Sequence, residues 1–297
     1  MTYRILYLML YLIAYIPRPV GLRLGESLGW VLYRILKQKR EAALNNLTIA
    51  LGDRLGAKEG QALVKKSFQF LGRHFFEVCY LIRFDKEKLA SYLEFKGVHH
   101  FEQARAQNKG VVLLTGHFGC WELMAVGIGY FISSVYLVTM SMKFKPVEEL
   151  VRTLRGVSGN QSIPKEKSMR RLIQILKQGD PIGILLDQNV DWYEGVFVPF
   201  FNKRACTNKG LALLVRKTQV PVVPVFIVHQ GGGRHRIEFQ PALPWLSFGD
   251  RTKEIEENTA QYNQVIEAMA RQYPDHYFWV HQRWKTRPYQ AWPRQQD

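Results

Sequence analysis

A histidine and a glutamate stand five residues apart in GHFGCWE, residues 116–122, directly after the apolar run VVLLT at 111–115. Imidazole exchanges a proton in the neutral range, and a carboxylate bonded to one ring nitrogen leaves the other free to accept. His117 and Glu122 therefore have the chemistry of a general base and its orienter. Five steps along one α-helix turn about 500°, which leaves two side chains roughly 140° apart. They cannot share a helix face. The pair meets only if a strand ends at Thr115 and a helix begins near Phe118 or Gly119, with His117 on the entering turn. Gly116 and Gly119 supply backbone freedom there, and a carboxylate suits the first turn of a helix. A base so placed can deprotonate a hydroxyl that attacks an acyl carbonyl. The competing reading is a structural histidine that only hydrogen-bonds its loop. A metal site is disfavoured, because the spacing is not HExxH and no third ligand stands nearby. Cys120 points elsewhere within a helical turn, so no thiol nucleophile is invoked.

Other clusters carry weaker signals. DQNVDWYEG (187–195) follows the apolar IGILL. Asp187 at that strand end either hydrogen-bonds its loop, the plainer role, or positions substrate. Thr207 is placed to cap a helix starting near Asn208. The exposed N–H groups there, with Lys203, Arg204 and Lys209, suit a phosphate or an oxyanion. An ordinary capped helix with a solvated basic turn is the alternative. Trp192, Tyr193, Phe197, Phe200 and Phe201 suit an acyl groove, or more simply the core. Arg283, Lys285 and Arg287, interleaved with Trp279 and Trp284, form a strip suited to lipid headgroups. Stacking on single-stranded nucleic acid uses the same residue types, but no RNP-like, helix-turn-helix or zinc-finger pattern accompanies them. KEKSMRR (165–171) and GGGRHR (231–236) are solvated faces or membrane-facing patches, and an acidic carrier protein would be drawn to them.

These residues need a scaffold. The expected strands are YLEFKG, VVLLT, VYLVTM, IGILLD, VVPVFIV and RIEFQ. Expected helices lie at about 98–107, 119–131, 146–156, 167–178, 208–218 and 254–272, from their periodicity. Short strands separated by helices predict an α/β fold, a mixed, mostly parallel sheet flanked by helices. VVLLT and IGILLD do not alternate, as befits strands buried on both faces. Ligands in such sheets gather beyond the carboxyl ends of the strands, where His117 and Asp187 fall. The segment from Glu41 to about Arg83 has helical periodicity. No repeat or long linker follows residue 40, so residues 41–297 are expected to form one catalytic domain.

The chain has 297 residues, 47% hydrophobic and 22% charged, a globular composition rather than a disordered one. Basic residues outnumber acidic ones 41 to 25, a net charge of +16 that favours anionic partners. The cysteines (Cys79, Cys120, Cys206) show no zinc or disulfide spacing, which suits a reducing compartment. Residues 5–16, ILYLMLYLIAYI, are all apolar or tyrosine. As a helix the run is about 18 Å long, against a bilayer core of roughly 30 Å. Pro17 and Pro19 interrupt it, and an amphipathic segment follows with Lys37, Lys39 and Arg40 at its end. No small-residue site marks a cleaved signal peptide. A soluble core helix is possible, but residues 1–40 are expected to be a membrane anchor, interfacial or a short tilted span, basic flank on the cytoplasmic side. Tyr3, Tyr7, Tyr11 and Tyr15 form a stripe expected at the lipid–water boundary.

LLTGHFGCWE resembles the HxxxxE block of the bacterial lipid A late acyltransferases. DQN at 187–189 with VFVPFFNKRACTNKGLALL (196–214) resembles a second stretch of that family, and FWVHQRWKTRP (278–288) a third. NNLTIAL (45–51) and the apolar N-terminus also fit. The resemblance spans nearly the whole chain in the family's order. It implies a glycerolipid-acyltransferase-like fold at the bacterial inner membrane, with the catalytic domain on the cytoplasmic face. It implies transfer of a fatty acyl chain from acyl carrier protein or acyl-CoA to a hydroxyl of an anionic lipid A precursor. His117 and Glu122 would be catalytic; Arg155, Asp187, Gln188, Lys203, Arg204, Thr207 and Arg283 would bind substrate. No metal, organic cofactor or nucleic acid is implied. Another membrane glycolipid or lysophospholipid is the alternative acceptor, and a non-catalytic basic membrane- or nucleic-acid-binding protein the reading outside enzymes. The sequence departs from the family at Cys120, commonly Asn, at Asn202, commonly Gly, and at Ser141, where an arginine is usual; Lys143 and Lys145 stand close by.

Overall fold

Each apolar run expected as a strand lies in one seven-stranded sheet in the computed structural model of the chain, which describes residues 2–52, 54–201 and 203–288. Helices come first: α1 (Thr2–Ile13), α2 (Arg18–Ile35), α3 (Lys37–Leu51) and α4 (Ala57–Tyr80). The short α5 (Lys86–Ala90) leads into β1 (Leu93–Lys96), α6 (Val98–Arg105), β2 (Val112–Thr115) and α7 (Trp121–Phe131). Then come β3 (Tyr136–Thr139), α8 (Lys145–Gly156), β4 (Gln161–Pro164), α9 (Met169–Lys177) and β5 (Ile182–Leu185). A separate hairpin, β6 (Gly195–Phe200) and β7 (Lys203–Asn208), precedes α10 (Gly210–Thr218), β8 (Val222–Gly231), β9 (Arg234–Phe239) and α11 (Arg251–Gln272).

The sheet order is β1-β9-β8-β2-β5-β3-β4. Every neighbouring pair is parallel except β8 with β9. The class is therefore the mixed, mostly parallel α/β sheet expected. β4 and β7 went unmarked because they lack an apolar run: in QSIP only Ile163 is buried, and KRACTN reads as polar; β6, GVFVPF, is apolar but reads as a groove or core segment rather than a strand.

Successive side chains of a strand point to opposite faces, and the two faces bury different helices. Val112 and Leu114 pack in a core with Leu172 of α9, Leu211 of α10 and Ile266 of α11. Leu113 packs in the other, with Phe101 of α6, Leu123 of α7 and Leu150 of α8. The central strands β2 and β5 are neighbours, yet the chain leaves them in opposite directions. From β2 it crosses α7 to β3; from β5 it passes the hairpin and α10 to β8 on the far side of β2. That makes a crevice beyond their carboxyl ends, the usual ligand position in such sheets.

The N-terminal helices are tied to this body. α2 lies against α4 along Gly21, Gly25 and Gly29, one glycine per turn. A Cβ at Gly25 would stand 2.7 Å from the Gly72 carbonyl oxygen, and one at Gly72 would stand 1.9 Å from that of Gly25. Backbones this close admit no side chain. Arg18 at the head of α2 holds Glu77 of α4 at 2.7 Å, and His235 of β9 meets the same carboxylate at 3.0 Å. Burial alone would raise the Glu77 carboxyl; His235 and Arg18 pull it below its ordinary value.

Among the described residues no single helix is long and apolar enough to cross a bilayer; α1 and α2, bent by 116°, reach that length and composition only together. Of the tyrosine stripe, Tyr15 is exposed. Tyr3, Tyr7 and Tyr11 are half-buried, the Tyr3 and Thr153 hydroxyls share a 3.3 Å bond, and Tyr11 and Tyr15 pair at 2.8 Å. The aliphatic side of α1 (Ile5, Leu8, Met9 and Leu12) is exposed.

Candidate active site

The His117 turn is shaped by glycine at two positions. β2 ends at Thr115, α7 begins at Trp121, and Gly119 between them has φ +60°. A Cβ there would stand 2.1 Å from the Ile227 carbonyl oxygen. Gly116 is crowded on another side, because its Cβ would meet Asp187 Cγ at 3.2 Å. That close approach lets the loop after β5 reach the histidine. The C-terminal segment clamps the turn: Phe278 N–H donates to the His117 carbonyl at 3.0 Å, and Gly119 N–H to that of His276 at 2.9 Å.

The imidazole is held at both nitrogens. His117 Nδ1 lies 2.8 Å from Asp187 Oδ1, and the Gln188 amide nitrogen lies 3.1 Å from Nε2. Asp187 is 3% exposed. Burial would raise its pKa, but His117, and more weakly Arg283, pull it below the ordinary carboxylate value. An ionised Asp187 places the ring proton on Nδ1 and leaves the Nε2 lone pair as the acceptor. The carboxylate facing His117 is thus Asp187, seventy residues away in sequence.

Glu122, expected in that position, faces another way. It receives Arg155 Nε at 2.7 Å, Arg155 Nη2 at 2.6 Å and Trp121 Nε1 at 3.2 Å. A bidentate guanidinium is the stronger partner for a buried carboxylate than one imidazole nitrogen, and on α7 Glu122 points toward α8, which carries Arg155. Against the upward push of burial, Arg155 holds Glu122 below its ordinary value. Trp121 separates the two motif residues: its ring lies 5.1 Å from His117 and, on another side, 4.1 Å from His74. Burial drives His74 down to about 4, so that ring is neutral.

His117 opens onto a cavity of about 680 Å³, within the roughly 300–1,000 Å³ of small-molecule sites. Its apolar wall comes from Val138, Leu172, Ile184, Leu186, Leu211 and Leu214, with Met140, Met142 and Met169 nearer the surface. Arg155 and Gln188 form polar parts of the wall. Ser141, where the resemblance leads one to expect an arginine, also lines it and bonds Glu166 at 3.2 Å. Positive charge on that side comes instead from Lys143, Lys165 and Lys167. Lys145 does not reach the cavity and pairs with Glu148 at 3.1 Å. Cys120 is fully buried and its thiol is pushed well above its ordinary pKa by desolvation, the state of an inert core residue.

The model of the bacterial lipid A biosynthesis acyltransferases matches residues 2–286. The chain belongs to that family. It is 27% identical to the lipid A biosynthesis lauroyltransferase of Escherichia coli (strain K12), over 94% of this chain and 90% of the relative. It is 25% identical to the palmitoleoyltransferase of the same strain, over 94% and 89%, and 26% identical to the myristoyltransferase, over 91% and 81%. The protein is accordingly an O-acyltransferase of lipid A biosynthesis.

Around the acyltransferase site, the structure gathers some expected residues and disperses others. His117, Arg155 and Gln188 line one cavity, with Asp187 directly behind His117. Thr207 is no helix cap. It lies inside β7, where its hydroxyl takes Arg283 Nη2 at 2.5 Å and the Asn263 amide at 3.0 Å. The helix starts later, and Asn208 Oδ1 accepts from Gly210 N–H at 2.7 Å instead. Arg283 faces no headgroup. It is 2% exposed, donates to the Cys206 carbonyl at 2.8 Å, and lies over the Phe200 ring at 4.9 Å. Lys203 and Arg204 are exposed on the hairpin, away from the cavity, and Arg204 Nε donates to the Phe197 carbonyl at 3.1 Å. Phe200 and Phe201 are core, Trp192 and Tyr193 are exposed, and with Phe197 none of the five lines the cavity. The residues that sequence reasoning overlooked are the apolar wall, Trp121 and His74. Only Trp121 carried a signal, as the aromatic residue between the two motif positions.

Proposed function

We propose that the enzyme moves a fatty acyl chain from an acyl thioester, on acyl carrier protein or coenzyme A, to a hydroxyl of a lipid A precursor, with His117 as general base. The observation that carries this reading is the His117–Asp187 pair, whose Nε2 faces an apolar cavity. The acyl chain occupies the cavity and brings its thioester carbonyl to the His117 end. The acceptor hydroxyl displaces the Gln188 amide from Nε2 and gives its proton to that nitrogen as its oxygen bonds the carbonyl carbon. Asp187 stabilises the imidazolium that forms. Arg155 Nη1 has no protein hydrogen bond among the described residues, while Nε and Nη2 are held by Glu122. It therefore suits the oxyanion, and Glu122 acts by aiming Arg155. Collapse of the tetrahedral intermediate breaks the C–S bond, and the thiolate takes the proton from Nε2.

The exposed apolar faces of α1 and α2 fit a membrane surface. Residues 1–40 are read as the element that seats the catalytic domain, residues 41–297, on the cytoplasmic face of the bacterial inner membrane. The layered sheet agrees with a glycerolipid-acyltransferase-like architecture. Neither a cofactor nor nucleic acid enters this scheme. The test is transfer of labelled acyl chain to the lipid precursor by wild type and His117→Ala. The variant should remain folded and lose transfer by about 10²-fold or more. Wild-type turnover from the folded variant would sink the proposal.

A further inference from the structure

The NNLTIAL stretch carries a buried polar residue that the proposed chemistry does not use. Asn45 is exposed, but Asn46, in the interior of α3, is 3% exposed. It shares the buried face of that helix with Ala43, Leu47 and Ala50. Asparagine is a poor helix former, and a buried amide is costly unless it is hydrogen-bonded. An apolar residue would serve α3 better. The reason for an asparagine therefore lies outside α3.

Its amide nitrogen donates to the Trp279 carbonyl at 2.7 Å and to the His281 carbonyl at 2.5 Å. Both carbonyls belong to a stretch, 278–283, that forms no helix or strand. Carbonyls in such a stretch depend on side-chain partners when buried. The stretch also grips both loops that carry the His117–Asp187 pair. Just before Trp279, Phe278 N–H donates to the His117 carbonyl at 3.0 Å, and Tyr277 bridges Phe118. At the other end, His281 Nε2 accepts Asn189 N–H at 3.0 Å. Asn189 stands two residues after Asp187, and Gln188 between them lies against His117 Nε2. Asn46 thus holds the stretch between its two grips. The strands β2 and β5 end at Thr115 and Leu185, so the 2.8 Å contact of His117 with Asp187 is set by the loops beyond them.

We propose that Asn46 is a positioning residue for acyl transfer: by fixing the 278–281 stretch it sets the His117 turn against the Asp187 loop. The inference rests on the proposed role of His117 as base and names a distant residue on which that base depends. An asparagine that served only the core would lower stability when replaced and leave turnover alone.

The full-length enzyme is assayed for transfer from a labelled acyl thioester to the lipid precursor, at a temperature where each variant is folded. Asn46→Ser withdraws the amide, and the new hydroxyl can bond within its own helix instead. Its kcat should fall about 10²-fold, the cost of a misplacement of about 1 Å. Both KM values should hold, because Asn46 does not line the cavity. Leu47→Ala, at the neighbouring buried position, should lower the melting temperature at least as much and keep kcat within about threefold of wild type. Asn46→Ser combined with Asp187→Asn should be no slower than Asp187→Asn alone, because both act through one contact. An unchanged kcat in Asn46→Ser, an equal loss in Leu47→Ala, or losses that multiply in the double variant would each overturn the inference. A readout independent of turnover is amide hydrogen exchange, followed by peptide mass spectrometry. In Asn46→Ser the peptides holding Phe278 and Asn189 should exchange about tenfold faster, the worth of one lost hydrogen bond, while β2 keeps its protection. Unchanged exchange removes the brace. Faster exchange in the variant, with no acyl transfer by the wild type, keeps the brace and refutes the chemistry it serves.

Discussion

Replacing Asp187 by asparagine separates two readings of the catalytic pair. The substitution keeps the volume and removes the charge from a group 3% exposed and 2.8 Å from His117 Nδ1. An asparagine no longer stabilises an imidazolium and no longer dictates the tautomer. A positioned base supplies about 10²–10⁴ in rate, and most of that depends on the correct tautomer. The expected kcat is lower by about 10²–10⁴-fold, or about 3–5 kcal/mol of barrier at 1.36 kcal/mol per tenfold. Asp187 stands behind His117 and does not line the cavity, so both KM values should change little. The assay is steady-state transfer from a labelled acyl thioester, with circular dichroism to verify folding. Glu122→Gln is the paired measurement. It keeps one acceptor for Arg155, and Arg155→Lys should reproduce its defect if Glu122 acts through that guanidinium. A folded Asp187→Asn enzyme within about threefold of wild-type kcat, well short of the loss expected from a missing orienter, would refute the assignment of Asp187.

The remaining predictions concern stability and chain length. Burial holds His74 at about 4 against an ordinary value of 6.5. As pH falls, the unfolded chain takes up that proton first, so the stability present above 6.5 is lost between 6.5 and 4. The full shift is worth about 3 kcal/mol at 1.36 kcal/mol per pH unit. His229, also brought down to about 4 by burial and then by Arg73, adds to the slope in the same window. Urea unfolding at pH 7 and 5.5 should show the loss, and His74→Phe should flatten it; an unchanged slope contradicts the burial argument. Leu214 of α10 is 1% exposed and lines the catalytic cavity. Leu214→Trp should shift kcat/KM toward shorter acyl thioesters by about fourfold per methylene excluded, from about 0.8 kcal/mol for each buried CH₂. Competition between thioesters of different length measures this, and an unaltered profile would mean that the chain lies elsewhere.

The sequence by itself determined the scaffold. Runs such as VVLLT and IGILLD must be buried on both faces, and only a sheet covered by helices buries them. It also determined that His117 could not share a helix face with Glu122, because helical geometry forbids it at that spacing. It showed that His117 and Asp187 both follow strand ends.

What only the tertiary structure decided is which charges meet. Asp187 reaches His117 because β5 lies beside β2, a neighbourhood created by the crossover through β3 and β4 and invisible to any local spacing. Glu122 goes to Arg155 because α8 packs beside α7 and a two-pronged cation satisfies a buried carboxylate better than a single ring nitrogen. Arg283 and Thr207, polar in sequence and expected at a ligand, spend their hydrogen bonds on each other inside the protein. Residue type states what a side chain can do. Only packing states what it faces, because the alternative partners lie tens of residues apart and compete through burial and geometry.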